Sequence, residues 1–244
     1  DGAVSQMHSF DYQNPQQLQD GAVLVVGAGS PGAQIATGLL ESGRKVYLSI
    51  GPHDRPPRSY RGKDFVWWLG ALGKWQMQIP PLGKKHVTIA VSGVNGGETV
   101  DFRKLADRGM ILLGRTEAYE NGVISIADDL TKNITSGDAN YLELLSEADA
   151  YIDLHGLDLP AEENARMIGH DPDCMKTPIR QIDLSQKSIK TIIWATGYGQ
   201  DFSWLKVDVF DADGKPVHDR GVAKVDGIYF LGLPWLSMRG SSFI

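Results

Sequence analysis

The sequence has one cysteine, no long apolar run and no excess of basic charge. Because Cys174 stands alone among 244 residues, there is no disulfide framework and no cysteine metal motif, and we expect a reducing, cytoplasmic compartment. No stretch approaches the roughly 20 apolar residues of a membrane span, so no membrane partner is expected. The net charge of −6 argues against a nucleic-acid partner, since no basic face outweighs the acids.

Patterns of catalytic and metal-binding side chains are scarce as well. The six histidines are scattered without the spacing of metal ligands, so no metal is predicted. No G-x-S-x-G nucleophile turn is present, and Tyr60 and Lys63 are one residue short of the Tyr-x-x-x-Lys pair of short-chain dehydrogenases. The sequence therefore identifies no catalytic side chain.

A glycine-rich turn is the strongest feature that the sequence does contain. The apolar run Val23 to Val26 is typical of a strand in a parallel sheet. Gly27, Gly29 and Gly32 follow with G-x-G-x-x-G spacing, and residues 33–40 predict a helix. In dinucleotide sites such glycines allow a tight turn, close approach of a pyrophosphate and close helix–strand packing. We predict dinucleotide binding; a structural βαβ turn and another Rossmann-type ligand, such as S-adenosylmethionine, are the alternatives.

The start of this helix offers a site for an anion. Ser30 is predicted as the N-cap and Pro31 as the first helical residue, where the missing N–H costs nothing. The other N–H groups of the first turn and the positive end of the helix dipole then face the glycine turn. The sequence therefore predicts that the dinucleotide phosphates bind here.

The second strand distinguishes between the two nicotinamide dinucleotides. NAD sites usually carry Asp or Glu about 20 residues after the glycines, but this strand ends at Ser49 without an acid. Arg55, Arg58 and Arg61 follow, within a stretch called here the basic segment (residues 51–64). Because guanidinium groups bind phosphate well, we predict NADP(H), with Ser49 and the three arginines as contacts. The alternative is that the arginines belong to a solvated loop.

The rest of the chain alternates helical and strand patterns. The predicted elements are a helix carrying Phe65, Trp68, Leu69 and Leu72 on one stripe, strands at 110–113 and 123–126 with a hairpin turn at Asn121-Gly122, a long helix within 128–155, and buried strands at 191–194 and 227–232. This order predicts an α/β fold, a three-layer Rossmann-type NAD(P)-binding domain with a parallel sheet.

A second loop of small residues follows the strand at 191–194. It consists of Ala195, Thr196, Gly197 and Tyr198. A strand whose carboxyl end breaks into small residues lets the backbone approach a ligand. We therefore include these four residues in the predicted cofactor site, with a tight structural turn as the alternative.

Taken in order, these motifs resemble those of flavin-containing monooxygenases and their bacterial relatives. The shared features are the G-x-G-x-x-G turn, the arginine-rich loop, the ATGY loop, a terminal YFLG stretch at 229–232 and the pair His8-Ser9. The resemblance implies an FAD-type Rossmann domain interrupted by an NADPH domain. On this basis residues 1–8 are a linker or remnant of the FAD-type domain, 9–190 the NADP-binding domain, and 191–244 the returning part of the FAD-type domain.

The resemblance also implies a reaction. NADPH would reduce FAD, and the reduced flavin would activate O₂ to oxygenate a small organic substrate. The family's FAD fingerprint, a second G-x-G-x-x-G, is absent from this sequence, and Pro31 stands where the family motif commonly has serine. FAD is therefore expected in the complete enzyme, with an FAD-binding N-terminal portion as a partner of this chain. The alternative is a pyridine-nucleotide-binding module or degenerate fragment without its own catalysis.

Overall fold

The computed structural model describes residues 4–78, 88–93 and 96–242. Its strands are β1 (Ser5–His8), β2 (Ala22–Val26), β3 (Val46–Ser49), β4 (His53–Asp54), β5 (Ser59–Tyr60), β6 (Lys63–Asp64), β7 (Thr88–Ile89), β8 (Ile111–Leu113), β9 (Thr116–Glu120), β10 (Val123–Ile126), β11 (Gln181–Asp183), β12 (Ile189–Trp194), β13 (His218–Asp219) and β14 (Val222–Ala223). Its α-helices are α1 (Ser30–Glu41), α2 (Phe65–Ala71), α3 (Phe102–Asp107), α4 (Leu130–His155) and α5 (Asp173–Lys176). Short 3₁₀ helices cover Pro15–Gln17 and Arg239–Ser242. The described residues divide into two units, 4–65 with 88–196 and 66–78 with 197–242.

A five-stranded parallel sheet forms the centre of the first unit. The strand order is β1-β12-β2-β3-β8, and Val25 pairs with Ile193 on one side and Leu48 on the other. From β2 the chain passes through α1 to β3, whereas β12 lies on the opposite side of β2, so the strand order reverses between β2 and β12. This is the switch point at which open α/β sheets bind ligands. The predicted α/β fold with a parallel Rossmann-type sheet is confirmed.

Different layers cover the two faces of this sheet. Helices α1, α3 and α4 contribute Leu39, Phe102 and Ile134 to the core on one face. On the other face the antiparallel sheet β11-β10-β9 packs Ile124 and Ile182 against the parallel strands. The three layers are thus helices, parallel sheet and a small antiparallel sheet. Burial on both faces explains why the central strands are continuous apolar runs.

Two local sequence signals are confirmed in this unit. Asn121 and Gly122 have φ values of 49° and 85° and join β9 to β10 as a hairpin, as this dipeptide predicts. The predicted long helix is α4, which buries Leu145, Ala148 and Ile152 on one side. It ends at Gly156 in the left-handed conformation, a common helix terminus.

The second unit has less regular structure. Helix α2 buries Trp68 and Leu69, as predicted, and the rings of Phe202 and Phe210 lie 5.7 Å apart. The prediction of a last buried strand at 227–232 is wrong, because Tyr229 forms only an isolated bridge with Val222. A strand needs a sheet to join, and the described part of this unit offers only the two-residue pairing of β13 with β14. Tyr229 is accordingly 72% exposed.

The domain division drawn from the family resemblance stays a prediction. By contacts, β1 and β12 belong to the same sheet as β2, and the first unit extends to Thr196. Among the described residues, no helix combines the length and apolar character that crossing a membrane requires.

Candidate functional site

The glycine turn lies at the carboxyl end of β2, at the switch point of the sheet. Gly27 has φ +104° and donates its N–H to the Ser49 carbonyl at 3.0 Å. A Cβ atom on Gly27 would collide with the Ala195 carbonyl, and one on Gly32 would collide with the Gly27 carbonyl. The first and third glycines are therefore required by close backbone approach. A Cβ on Gly29 would lie 2.7 Å from the Thr88 methyl carbon, so a side chain at this position would have to displace Thr88.

The helix after the turn begins one residue earlier than predicted. Its N-cap is Gly29, which makes no side-chain capping bond, so the prediction of Ser30 as N-cap is wrong. The Ser30 hydroxyl donates to the Ile89 carbonyl at 3.0 Å and accepts the Val91 N–H at 3.2 Å, which holds it away from the capping position. Pro31 still falls in the first turn, where no intrahelical partner for its N–H is needed.

Ser49 serves as a connection inside the fold. It is 2% exposed, and its hydroxyl donates to the Gly114 carbonyl at 3.0 Å. The same oxygen accepts the N–H and the hydroxyl of Thr116, each at 3.0 Å. These bonds tie β3 to the turn after β8 and engage the hydroxyl within the fold, and the predicted contact of Ser49 with a cofactor stays a prediction.

Arg55 lies in the core. It is 4% exposed, and its guanidinium donates to Asp138 at 2.8 Å and to the Val100 carbonyl at 3.1 Å. It also stacks over the ring of Tyr141, with 4.5 Å from the guanidinium carbon to the ring centre. Asp138 accepts a second bond from Arg103. Because removing one partner of a buried ion pair typically costs about 3–5 kcal/mol, Arg55 is not available to a ligand.

Arg61 is fastened to α4. Its guanidinium donates to Asp149 at 3.1 Å and to two loop carbonyls, of Pro160 and Leu159, at 3.1 and 3.2 Å. The Tyr60 hydroxyl donates to the same Asp149 at 2.9 Å. Burial, together with the bond to Asp149, raises the pKa of Tyr60 to about 12. Arg61 thus helps to hold the basic segment and the loop at 159–160 against this helix.

Asp149 stays ionised in this cluster. Burial alone would raise its pKa, but hydrogen bonds from Arg166, Tyr60 and Arg61 lower it. The Arg166 guanidinium donates to Asp149 at 2.7 Å. A carboxylate with three donors is a firm attachment point for the segment that contacts it.

Of the three arginines predicted as contacts, Arg58 forms the most exposed ion pair. Its guanidinium pairs with Asp64, and the two side chains are 26% and 44% exposed. The Arg58 N–H donates to the Thr99 hydroxyl at 2.9 Å, and the side chain runs across Gly97, where a Cβ would collide with its Nε. Exposed ion pairs contribute only about 0–1 kcal/mol. Arg58 can therefore exchange its carboxylate for a phosphate at little cost.

The structure brings the beginning of the ATGY loop to the glycine turn. The Ala195 N–H donates to the Val26 carbonyl at 2.8 Å, and a Cβ atom on Gly27 would lie 3.6 Å from the Thr196 nitrogen. Gly197 has φ +90° and Tyr198 is 67% exposed, and both belong to the second unit. Their predicted contact with a cofactor stays a prediction.

The sequence reasoning missed the polar residues of α4. Asn133 and Asp138 are 4% and 7% exposed. They do not belong to a metal site, since no cluster that could hold a metal ion occurs in the described part of the chain. The sequence does contain a signal for Asp138, because this charged residue lies four positions after the apolar Ile134 and therefore on the buried side of the helix. Such a residue implies a buried partner of opposite charge.

Comparison with known proteins finds sequence relatives. No protein-family model matches the chain. The "uncharacterized oxidoreductase CzcO-like" of Geobacillus kaustophilus is 34% identical over 244 residues, which is 99% of this chain and 53% of that protein. The corresponding protein of Bacillus subtilis is 27% identical over 99% of this chain and 54% of its own length. The flavin-containing monooxygenase iboF of Amanita muscaria is 37% identical over 67 residues, 27% of this chain and 12% of that protein.

Similarity to solved structures is weaker. A flavin-containing monooxygenase from Stenotrophomonas maltophilia aligns with 99% of this chain and 52% of its own, with a TM-score of 0.48 and 15% identity. The chain spans about half the length of the curated oxidoreductases it matches. It is thus related to part of the CzcO-like oxidoreductases, and the resemblance to flavin-containing monooxygenases indicated by its motifs is confirmed.

Proposed function

We propose that this chain is the NADPH-binding part of a flavin-dependent, monooxygenase-type oxidoreductase. The observation that carries the proposal is the bare glycine turn at the switch point of a parallel sheet, followed by a 12-residue helix. Relatives along the whole chain are named oxidoreductases, and a shorter match is named a flavin-containing monooxygenase. A small organic substrate and a cytoplasmic location belong to the same proposal.

The described residues fit an NADP phosphate group. In the proposal the pyrophosphate lies against the backbone of Gly29, which carries no side chain of its own, and accepts hydrogen bonds from N–H groups of the first turn of α1. The helix dipole favours its negative charge. Arg58 binds the 2′-phosphate, while Arg55 and Arg61 hold the basic segment in place. When bound, NADPH supplies a hydride, and this chain binds and orients the nucleotide.

The described residues do not supply an FAD site. They contain one strand–glycine turn–helix unit of the G-x-G-x-x-G type, and it is assigned to NADP. In the proposal FAD is held by the portion of the oxidoreductase that the relatives have beyond their match to this chain.

Titration of nucleotides into the purified 244-residue chain tests the proposal. We expect Gly29→Ala to weaken NADPH and NADH binding together, because its methyl group would crowd the Thr88 methyl carbon beside the turn and hinder the close approach of the pyrophosphate. The φ of −67° at Gly29 suits alanine. Gly38→Ala is the matched control, since a Cβ there meets nothing within 4 Å. If wild type binds the nucleotides and Gly29→Ala binds them equally well, the binding site does not lie at the glycine turn.

The second candidate is a nucleotide-binding module without its own chemistry. The single glycine turn among the described residues favours it. The absorbance spectrum of the purified chain separates the two. A yellow protein with flavin bands supports an enzyme that holds its own flavin, whereas a colourless protein that binds NADPH supports either a module or a part completed by a partner. NADPH oxidation on adding the FAD-binding half of a CzcO-like relative would then exclude the inert module.

A further inference from the structure

One side of α4 holds the first part of the basic segment, and Ile50 just before it, at several points. The Asn133 side chain donates to the Ile50 carbonyl at 2.9 Å. Gly137 leaves room for the His53 ring, since a Cβ there would lie 2.5 Å from Nε2. Asp138 accepts from the Arg55 guanidinium. Residues 133 and 137 are one helical turn apart and share a face, so the stretch 50–55 follows this face.

Both backbone and side chain of Arg55 are fixed to this helix. The Arg55 N–H donates to the Asn140 side-chain oxygen at 3.1 Å, while its guanidinium is held by Asp138. Asp138 in turn binds Arg103, which donates to Asp171 at 2.8 Å. Apolar residues could hold the segment as strongly as this buried network does, but they would not fix the direction of one side chain. Direction is therefore what the network supplies.

Two prolines, Pro56 and Pro57, connect Arg55 to Arg58 and limit how the backbone between them can turn. Pro56 and Pro57 are both buried. A proline ring fixes φ, and the residue before a proline is confined to extended conformations. Arg55 and both prolines therefore have little conformational freedom. Beyond Arg58, Tyr60 is tied to Asp149 on the same helix, so Arg58 is held from both sides.

We propose that Gly137 and Asp138 are positioning residues for nucleotide selectivity. They act through His53 and Arg55 to orient the basic segment, and thereby place Arg58 for the 2′-phosphate. This inference rests on the proposed function and deepens it. Residues of α4, which touch no nucleotide in that proposal, set the preference for NADPH over NADH.

Gly137→Ala is the direct test. Its methyl group must displace the His53 ring, while alanine favours the helix over glycine, so the fold is expected to persist. We expect the Kd for NADPH, measured by calorimetry on the full chain, to rise about tenfold. NADH binding is expected to change less than about twofold, because NADH has no 2′-phosphate to lose. Gly38→Ala, the matched control in α1, is expected to leave both values unchanged.

A second variant shows whether the effect passes through the histidine. With His53→Ala in place, the added methyl of Gly137→Ala has nothing to displace, and the NADPH preference is expected to stay at the value of His53→Ala alone. A purely structural role for Gly137 predicts equal loss for both nucleotides. Equal loss, or an unchanged preference in Gly137→Ala, would overturn the inference.

Pro57→Ala provides a test that leaves α4 untouched. It loosens the link between Arg55 and Arg58 and is expected to lower the NADPH preference with circular dichroism unchanged. An unchanged preference in this variant would also contradict the inference, even if Gly137→Ala failed to fold. If Arg58→Ala abolishes the preference while Gly137→Ala and Pro57→Ala do not, only the positioning inference fails. A wild-type chain that binds both nucleotides equally would overturn the proposed function and the inference together.

Discussion

Arg55 and Arg58 lie three residues apart in one segment, each beside an aspartate, yet their surroundings give them different roles. The Arg55–Asp138 side chains are 5% and 10% exposed, whereas those of Arg58 and Asp64 are 26% and 44% exposed. A buried pair cannot lose a partner without leaving an uncompensated charge, while an exposed pair exchanges partners at little cost. The comparison teaches that burial, rather than residue type, distinguishes Arg55 from Arg58.

The largest expected effect is the loss of stability when the buried Arg55–Asp138 pair is broken. Asp138→Ala leaves Arg55 and Arg103 without their carboxylate, and we expect the free energy of unfolding to fall by about 3–5 kcal/mol. The matched variant Asp64→Ala removes the exposed partner of Arg58 and is expected to cost less than about 1 kcal/mol. Urea unfolding of both variants measures the difference. Similar losses would contradict the distinction between anchor and exposed pair.

A smaller effect on stability is expected from pH, through the buried His53. Burial, above all other causes, lowers the pKa of His53. Below about pH 6.5 the unfolded chain takes up a proton at this residue that the folded chain does not, so stability falls as the pH falls. One such proton accounts for at most about 1.4 kcal/mol per pH unit. Between pH 7.5 and 5.5, His53→Gln should lose less stability than wild type; equal slopes would show that His53 is solvated.

The smallest effect is expected on NADPH affinity when the exposed Arg58–Asp64 pair is changed. Asp64→Asn removes the carboxylate that competes with a phosphate for Arg58, and we expect NADPH to bind about two- to fivefold more tightly, within the value of an exposed ion pair. NADH binding should not change, which makes NADH the control ligand. Weaker NADPH binding would indicate that Asp64 holds Arg58 in its binding position.

The sequence was sufficient for the elements whose signals are local. The central strands are buried on both faces, so each is a continuous apolar run. Gly32 is required by its close approach to the Gly27 carbonyl within one βα turn. Asn121-Gly122 determines its hairpin without help from distant residues. For such features the local pattern contains the physical cause.

The features that the sequence could not indicate depend on partners that are distant in sequence. Nothing near Arg55 in the chain distinguishes it from Arg58, because its partner Asp138 is 83 residues away. Ser30 has the composition of an N-cap, but Ile89 and Val91 engage its hydroxyl. Residues 227–232 have the apolar pattern of a buried strand, and burial requires a sheet that the described part of their unit does not provide.

The ratio of NADPH to NADH affinity in wild type and Arg58→Ala tests the central claim most directly. Charge-assisted hydrogen bonds to a phosphate contribute about 1.5–3 kcal/mol, so Arg58→Ala is expected to weaken NADPH binding by roughly 10- to 150-fold. NADH binding is expected to stay within about twofold, because NADH lacks the 2′-phosphate. Equal loss for the two nucleotides, or no loss for either, would contradict the assignment of Arg58 to the 2′-phosphate.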